Sequence, residues 1–224
     1  MFTLLNNLAL AWAGLNLRPS VLDIGYAALL VVVIVWSVRV EGLSLATLGL
    51  SLNQAPRDVL LGLALGSGMA VPAIIFYAFP VIVAGPVSYA GYRFAGPEGI
   101  LAVLFVRLLV GHALLEETLF RGLIQVRAID WWGQRKGIVA STLAFVLWHP
   151  VLTYHAIAQT NLVSGPFPVW LLCASASIPL TAAGLILALL RERTGTLIAP
   201  IAAHWTVNAT IMAFLALMVD RAGA

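Results

Sequence analysis

Apolar runs of about 20 residues, the length that crosses a hydrocarbon core, recur along the chain with short polar interruptions. They cover Val21 to Val38, Val59 to Val83, Gly99 to Val126, Gly137 to Ala158, Phe167 to Leu190 and Leu197 to Val219. Each predicts a helix, because a helix satisfies its own backbone hydrogen bonds where no water is available. The stretch between the first two, EGLSLATLGLSLNQAPRD, is too broken by Gly, Ser, Asn and Pro to span, and reads as an amphipathic surface connection. Gly62, Gly66 and Gly68 form a small-residue strip suited to close helix packing. Residues 1–17 read as an interfacial or short buried helix, and no basic residue precedes Arg18, so the positive region of a cleaved signal peptide is lacking. The pattern predicts one all-α integral-membrane domain over residues 1–224, a bundle of about six spans.

Composition supports that reading. The 224 residues are 62% hydrophobic and 9% charged, against about 25% charged in an ordinary soluble domain, and the mean hydropathy is +1.01. The formal charge of +3 arises from 12 basic and 9 acidic residues scattered singly, without the basic block or stripe that nucleic acid requires, which disfavours a nucleic-acid partner. A single cysteine, Cys173, excludes an internal disulfide framework and a cysteine-based zinc site. Arg39, Arg57, Arg127, Arg135, Lys136, Arg191 and Arg193 fall in alternate connections, opposite Arg18, Arg93 and Arg221. The positive-inside rule assigns the first group to the cytoplasmic side. In a bacterium the expected location is the inner membrane, as a multi-pass protein surrounded by lipid. Trp36, Trp131, Trp132 and Trp170 lie near span ends, where indoles favour the interface.

Against this background LLEETLFRG, Leu114 to Gly122, stands out. Ionisable residues deep in a span are costly and are functional hypotheses by default. Glu117 and Arg121 are four apart, with the acid amino-terminal, the favoured order for an ion pair on one helical face. Glu116 points about 100° away and is left to face a cavity, which suggests one structural and one reactive glutamate. His112, four residues before Glu116, reads as a partner of that carboxyl. Counted from the cytoplasmic helix ends at about 1.5 Å per residue, Glu116 lies roughly 15 Å deep, His149 roughly 18 Å, and His204 and Asn208 roughly 12 and 18 Å. Three helices distant in sequence thus bring Glu, His, His and Asn to one layer. Pro150 and Pro200 are expected to kink their helices beside it. A glutamate can take a proton from water and pass it to a leaving amine, and His149 can hold the same water. Neutral His204 and Asn208 supply donors for an oxyanion. The combination describes peptide-bond hydrolysis by an activated water.

EETLFR (Glu116, Glu117, Arg121), FVLWH (Phe145, His149) and HWTVN (His204, Asn208) resemble the three signature motifs of the CPBP family, which includes the CAAX prenyl endopeptidases of the Ras-converting type and bacterial bacteriocin-processing or immunity homologues. The motifs match in residue type, spacing, order and helix placement, and define an expected catalytic core within 99–219. The resemblance implies an intramembrane endopeptidase in which Glu116 and His149 activate water, His204 and Asn208 form the oxyanion site, and Glu117 and Arg121 hold the helix and the cavity wall. The preferred reading requires no cofactor, takes a membrane-tethered or lipid-modified peptide or protein as substrate, and, by the positive-inside rule, places the site opening toward the cytoplasmic half of the bilayer. Glu116, His149 and His204 also make a possible zinc set of two His and one Glu, although His-Glu-x-x-His is lacking. Two rivals stay open: a non-catalytic immunity or peptide-binding scaffold of the same fold, and a proton-coupled transporter, which the lack of paired inverted halves disfavours.

Overall fold

The computed structural model describes residue 7, residues 19–84, 96–158, 160, 162, 165 and 167–222. The segment 1–17, read above as an interfacial helix, lies outside the described residues apart from Asn7, and so does Arg93. Among the described residues the chain is helical without a strand ladder: α1 (Pro19–Arg39), α2 (Ala55–Ala84), α3 (residues 96–132), α4 (Gln134–Trp148), α5 (Pro150–Ala158), α6 (Val169–Thr194) and α7 (Ile198–Ala222). Four stretches are long and apolar enough to cross a membrane: Ala55–Phe76, Gly99–Trp132, Gln134–Ala158 and Val169–Thr194. The first and last of the six expected spans correspond to the shorter apolar helices Ile24–Arg39 and Ile198–Phe214.

Helix α3 is the central element and departs from regular α-geometry. Its turns over Ala102–Leu114 and Thr118–Ile124 are wound wide, so that Leu115 N–H reaches Val110 O and Gln125 N–H reaches Phe120 O, five residues back. Between the two wide stretches, the single α-helical turn Leu115–Glu117 carries both glutamates. Wide turns of this kind cluster at functional sites. Around α3 gather Leu30 and Val33 of α1, Phe145 and Trp148 of α4, and its own Leu115, Leu119, Phe120 and Leu123.

The connection expected to lie on the surface joins this core. Leu45 and Leu52 do face outward, but Leu43 and Leu48 are buried against α3. Three polar clamps hold the segment there: the Arg127 guanidinium bonds the side chain and carbonyl of Glu41, Arg191 Nη2 donates to Thr47 O at 2.9 Å, and Leu197 N–H donates to Gly49 O at 2.8 Å. Gly49 has φ +85°, and a Cβ there would lie 2.9 Å from the Arg191 guanidinium carbon, so both its backbone and its lack of a side chain are used. These contacts gather several of the arginine-bearing helix ends at one end of the bundle.

On the other flank, α2 packs along α7 through small residues. A Cβ on Gly62 would meet Ala199 O at 2.5 Å, and one on Gly66 would meet Ala203 O at 2.6 Å. Gly68, the third member of the expected strip, has nothing within 4 Å of its Cβ position and takes no part. Gly66→Ala should therefore lower stability by about 1–3 kcal/mol through overpacking. Gly68→Ala should leave it unchanged or raise it, since Ala favours the helix over Gly. Unfolding of the two variants in the same detergent compares them directly.

Candidate active site

The two glutamates diverge as helix geometry requires. Both are buried, at 1% and 0% relative exposure. Glu117 Oε1 accepts from Arg121 Nη1 at 2.8 Å, the expected i, i+4 pair. Glu116 turns away: its Oε1 lies 3.2 Å from His112 Nδ1, and its Oε2 has no hydrogen-bond partner among the described residues. Into the space in front of that oxygen point the Nε2 atoms of His149, at 3.6 Å, and His204, at 3.9 Å. Glu116, His149 and His204, predicted to share a layer, therefore meet.

His149 owes its placement to Pro150. The expected kink is a break: α4 ends at Trp148 and α5 starts at Pro150. Pro150 has no N–H to donate, and the His149 N–H turns to Val146 O at 3.1 Å instead of to Phe145 O. The Phe145 carbonyl instead lies 2.7 Å from His149 Nδ1. A carbonyl only accepts, so Nδ1 carries the proton, and in the neutral ring Nε2 is a bare acceptor aimed at the Glu116 side. Phe145 also packs its ring 4.6 Å from the His149 ring and 5.8 Å from that of His204, walling the layer. Pro200 does not kink α7 as expected. It falls in the first turn after Ile198, where its missing N–H would have no intrahelical partner anyway.

His204 is held by a contact the sequence reading did not anticipate. Its Nδ1 lies 2.7 Å from Glu117 Oε1, the same oxygen that takes Arg121. Between α7 and α3, Trp205 Nε1 donates to Leu104 O at 2.8 Å, one residue along from His204. Asn208, one turn further along α7, is half-buried, and its amide makes no hydrogen bond with another described residue. It is the one member of the predicted catalytic set without a polar contact to the others among the described residues.

Behind the layer, Arg121 is completely buried. Besides Glu117 it donates through Nη2 to Gly184 O of α6 at 3.0 Å, and its guanidinium carbon lies 4.4 Å from the Phe145 ring centroid. A Cβ on Gly184 would come within 3.2 Å of Phe145 and Thr142, so glycine lets α6 come close enough to present that carbonyl. One turn toward the arginine-rich end, Gln125 Nε2 donates to Ala188 O and to Glu192 Oε1 at 3.1 and 2.8 Å. Gln134 then reaches Glu192 Oε2 at 3.0 Å. Gln125 was missed at the sequence level, although its place four residues after Arg121 and eight after Glu117 marks the same face.

The candidate zinc set can be tested on its donor geometry. Glu116 Oε2 stands 3.6 and 3.9 Å from the two Nε2 atoms, a few tenths of an ångström beyond the roughly 3.4 Å between ligand atoms of a tetrahedral zinc with bonds of about 2.1 Å. Among the described residues no group of three His, Cys, Asp or Glu is arranged as a metal site. A water can also lie within hydrogen-bond reach of Glu116 Oε2 and His149 Nε2 together.

Compared with known proteins, residues 98–210, half of the chain, match the model of a family described as Type II CAAX prenyl endopeptidase Rce1-like. The match takes in all three motifs and the whole of the layer just described. No curated protein and no solved structure matches the chain.

Removing the guanidinium would leave Glu117 buried with its charge unmatched by any cation on its own helix, a change that typically costs about 3–5 kcal/mol. Arg121→Met should show a loss of that order in detergent unfolding, whereas Arg127→Met, at a partly exposed pair, should lose less than about 1 kcal/mol.

Proposed function

Because the chain belongs to the Rce1-like type II CAAX prenyl endopeptidase family, we propose that it is an intramembrane endopeptidase that hydrolyses a peptide bond in a membrane-tethered or lipid-modified peptide or protein. The observation that carries this reading is the unpartnered, buried Oε2 of Glu116 with two imidazole Nε2 atoms facing it at under 4 Å. In hydrocarbon such an oxygen is costly to leave unused.

The mechanism uses the chain's own groups. A water donates one hydrogen bond to Glu116 Oε2 and the other to His149 Nε2, which leaves an oxygen lone pair toward the substrate. As that oxygen attacks the scissile carbonyl carbon, Glu116 takes its proton. The carbonyl π electrons move onto oxygen, where His204 Nε2–H and the Asn208 amide stabilise the charge. Glu116 then hands its proton to the amide nitrogen, the C–N bond breaks, and an amine and a carboxylic acid leave. The mechanism needs no metal. The positive-inside rule assigns the arginine-rich end of the bundle to the cytoplasm.

The expected outcome is cleavage of at least some members of a panel of lipid-modified peptides by purified protein in nanodiscs, read by mass spectrometry. Glu116→Gln should lower the rate about 100- to 10,000-fold with an unchanged elution profile, and a strong chelator should leave the wild-type rate intact. Undiminished cleavage by Glu116→Gln would remove the glutamate from the chemistry, and loss of activity with chelator would replace the metal-free mechanism by a metal-dependent one.

A further inference from the structure

Glu117 and Arg121 are accounted for so far as an ion pair that holds the helix, but that pairing needs only one donor on Glu117. Oε1 in fact collects two, Arg121 Nη1 at 2.8 Å and His204 Nδ1 at 2.7 Å. The two donors come from different helices and approach one oxygen. Arg121 is itself fixed at three points: Glu117, the Gly184 carbonyl and the face of Phe145. Glu117 Oε1 is therefore held from two sides, although Oε2 has no hydrogen-bond partner among the described residues, and the imidazole is anchored to it through Nδ1.

On this basis, and given the hydrolytic reading above, we propose that Glu117 is a positioning residue for the reaction: it fixes the His204 ring through Nδ1 so that Nε2 faces the Glu116 and His149 layer, with Arg121 fixing Glu117 in turn. The chemistry explains why a carboxylate is needed there rather than a neutral acceptor. A carboxylate flanked by two donors accepts, so the Nδ1 proton of His204 is committed to Glu117. Nε2 can then donate to an oxyanion only if it carries a second proton, which makes the ring an imidazolium. On this proposal His204 works as an imidazolium rather than as the neutral donor expected from the sequence. An imidazolium out of water needs an anion in contact, and Glu117 is that anion. His149 differs in this respect, since its Nδ1 faces a neutral carbonyl. The two histidines are thus set to opposite tasks by the acceptor behind each ring: a carboxylate behind the oxyanion donor, a carbonyl behind the water acceptor. Orienting groups behind an imidazole recur wherever its two nitrogens must play different parts.

Two measurements test this. With ¹⁵N-histidine-labelled protein, the four imidazoles can be assigned using single His→Gln variants, and wild-type His204 should show a protonated, strongly hydrogen-bonded Nδ1. A His204 ring lacking that proton in the wild type overturns the proposal without any need for a Glu117 variant to fold. In Glu117→Gln the His204 signal should shift while those of His149 and His155 stay in place, and an unmoved His204 signal counts against the proposal. In kinetics, Glu117→Gln should lower kcat about 100-fold with KM changed less than about threefold, and it should add nothing further in the His204→Gln background. An equal loss in both backgrounds would mean that Glu117 acts through the fold alone. If wild-type protein cleaved nothing while the His204 signal responded to Glu117→Gln, the hydrolytic reading would fall and the Glu117 to His204 linkage would stand.

Discussion

Two adjacent carboxylates held out of water lose their hydration, and a fold that keeps both must return the lost interactions from groups it can place with certainty. Most of the central architecture follows from that constraint at Glu116 and Glu117. Glu117 is matched from its own helix by Arg121 and from α7 by His204. Arg121 in turn requires a carbonyl from α6 and an aromatic face from α4. Four helices are thereby tied to one buried oxygen. A slide of α3 by one residue against α6 would strand a guanidinium and a carboxylate together, so the register of the bundle and the placement of the site are a single requirement.

Within that frame, the break at Pro150 adds a second constraint at little cost. The proline interrupts the backbone ladder and leaves Phe145 without its usual amide donor, and the orphaned carbonyl takes the imidazole of His149. The same residue thus supplies an aromatic wall with its side chain and a tautomer lock with its backbone. Phe145 is positioned to do both because α6 approaches α4 at Gly184, where any larger residue would push the ring away.

Several of these features were legible in the sequence, and the reason is physical. Helical spans announce themselves because a bilayer tolerates few charges over 20 residues. The Glu117 to Arg121 pair and the Glu116 to His112 contact follow from i, i+4 spacing, and the meeting of Glu116, His149 and His204 follows from similar depth on three helices. What escaped notice depends on partners distant in sequence. The second donor on Glu117 comes from 87 residues away. The partners of Gln125 are likewise on α6, and a backbone carbonyl such as Ala188 O has no sequence signature at all. Wide turns in α3 also leave no mark in an apolar run. The inward turn of Leu43 and Leu48 was hidden because a segment full of Gly, Ser and Asn looks like a loop, and only the clamps from Arg127 and Arg191 decide that it packs.

The division of labour between the adjacent glutamates can be traced to rotation about one helix axis. Neighbouring residues on a helix cannot share a face, so a Glu-Glu pair in a bundle sends one carboxylate toward the supporting helix and the other toward the open layer. The wide turns of α3 flank rather than include the Leu115–Glu117 turn, which keeps the two carboxylates near their regular angular separation while the rest of the helix unwinds. Each carboxylate then meets His204 from a different side: Glu117 at Nδ1 and Glu116 near Nε2. An imidazole is the one side chain with two ring nitrogens that can face two such groups at once. His204 is consequently the point at which the supporting network and the open layer meet: bonded to Glu117 at Nδ1 and facing Glu116 Oε2 across 3.9 Å at Nε2.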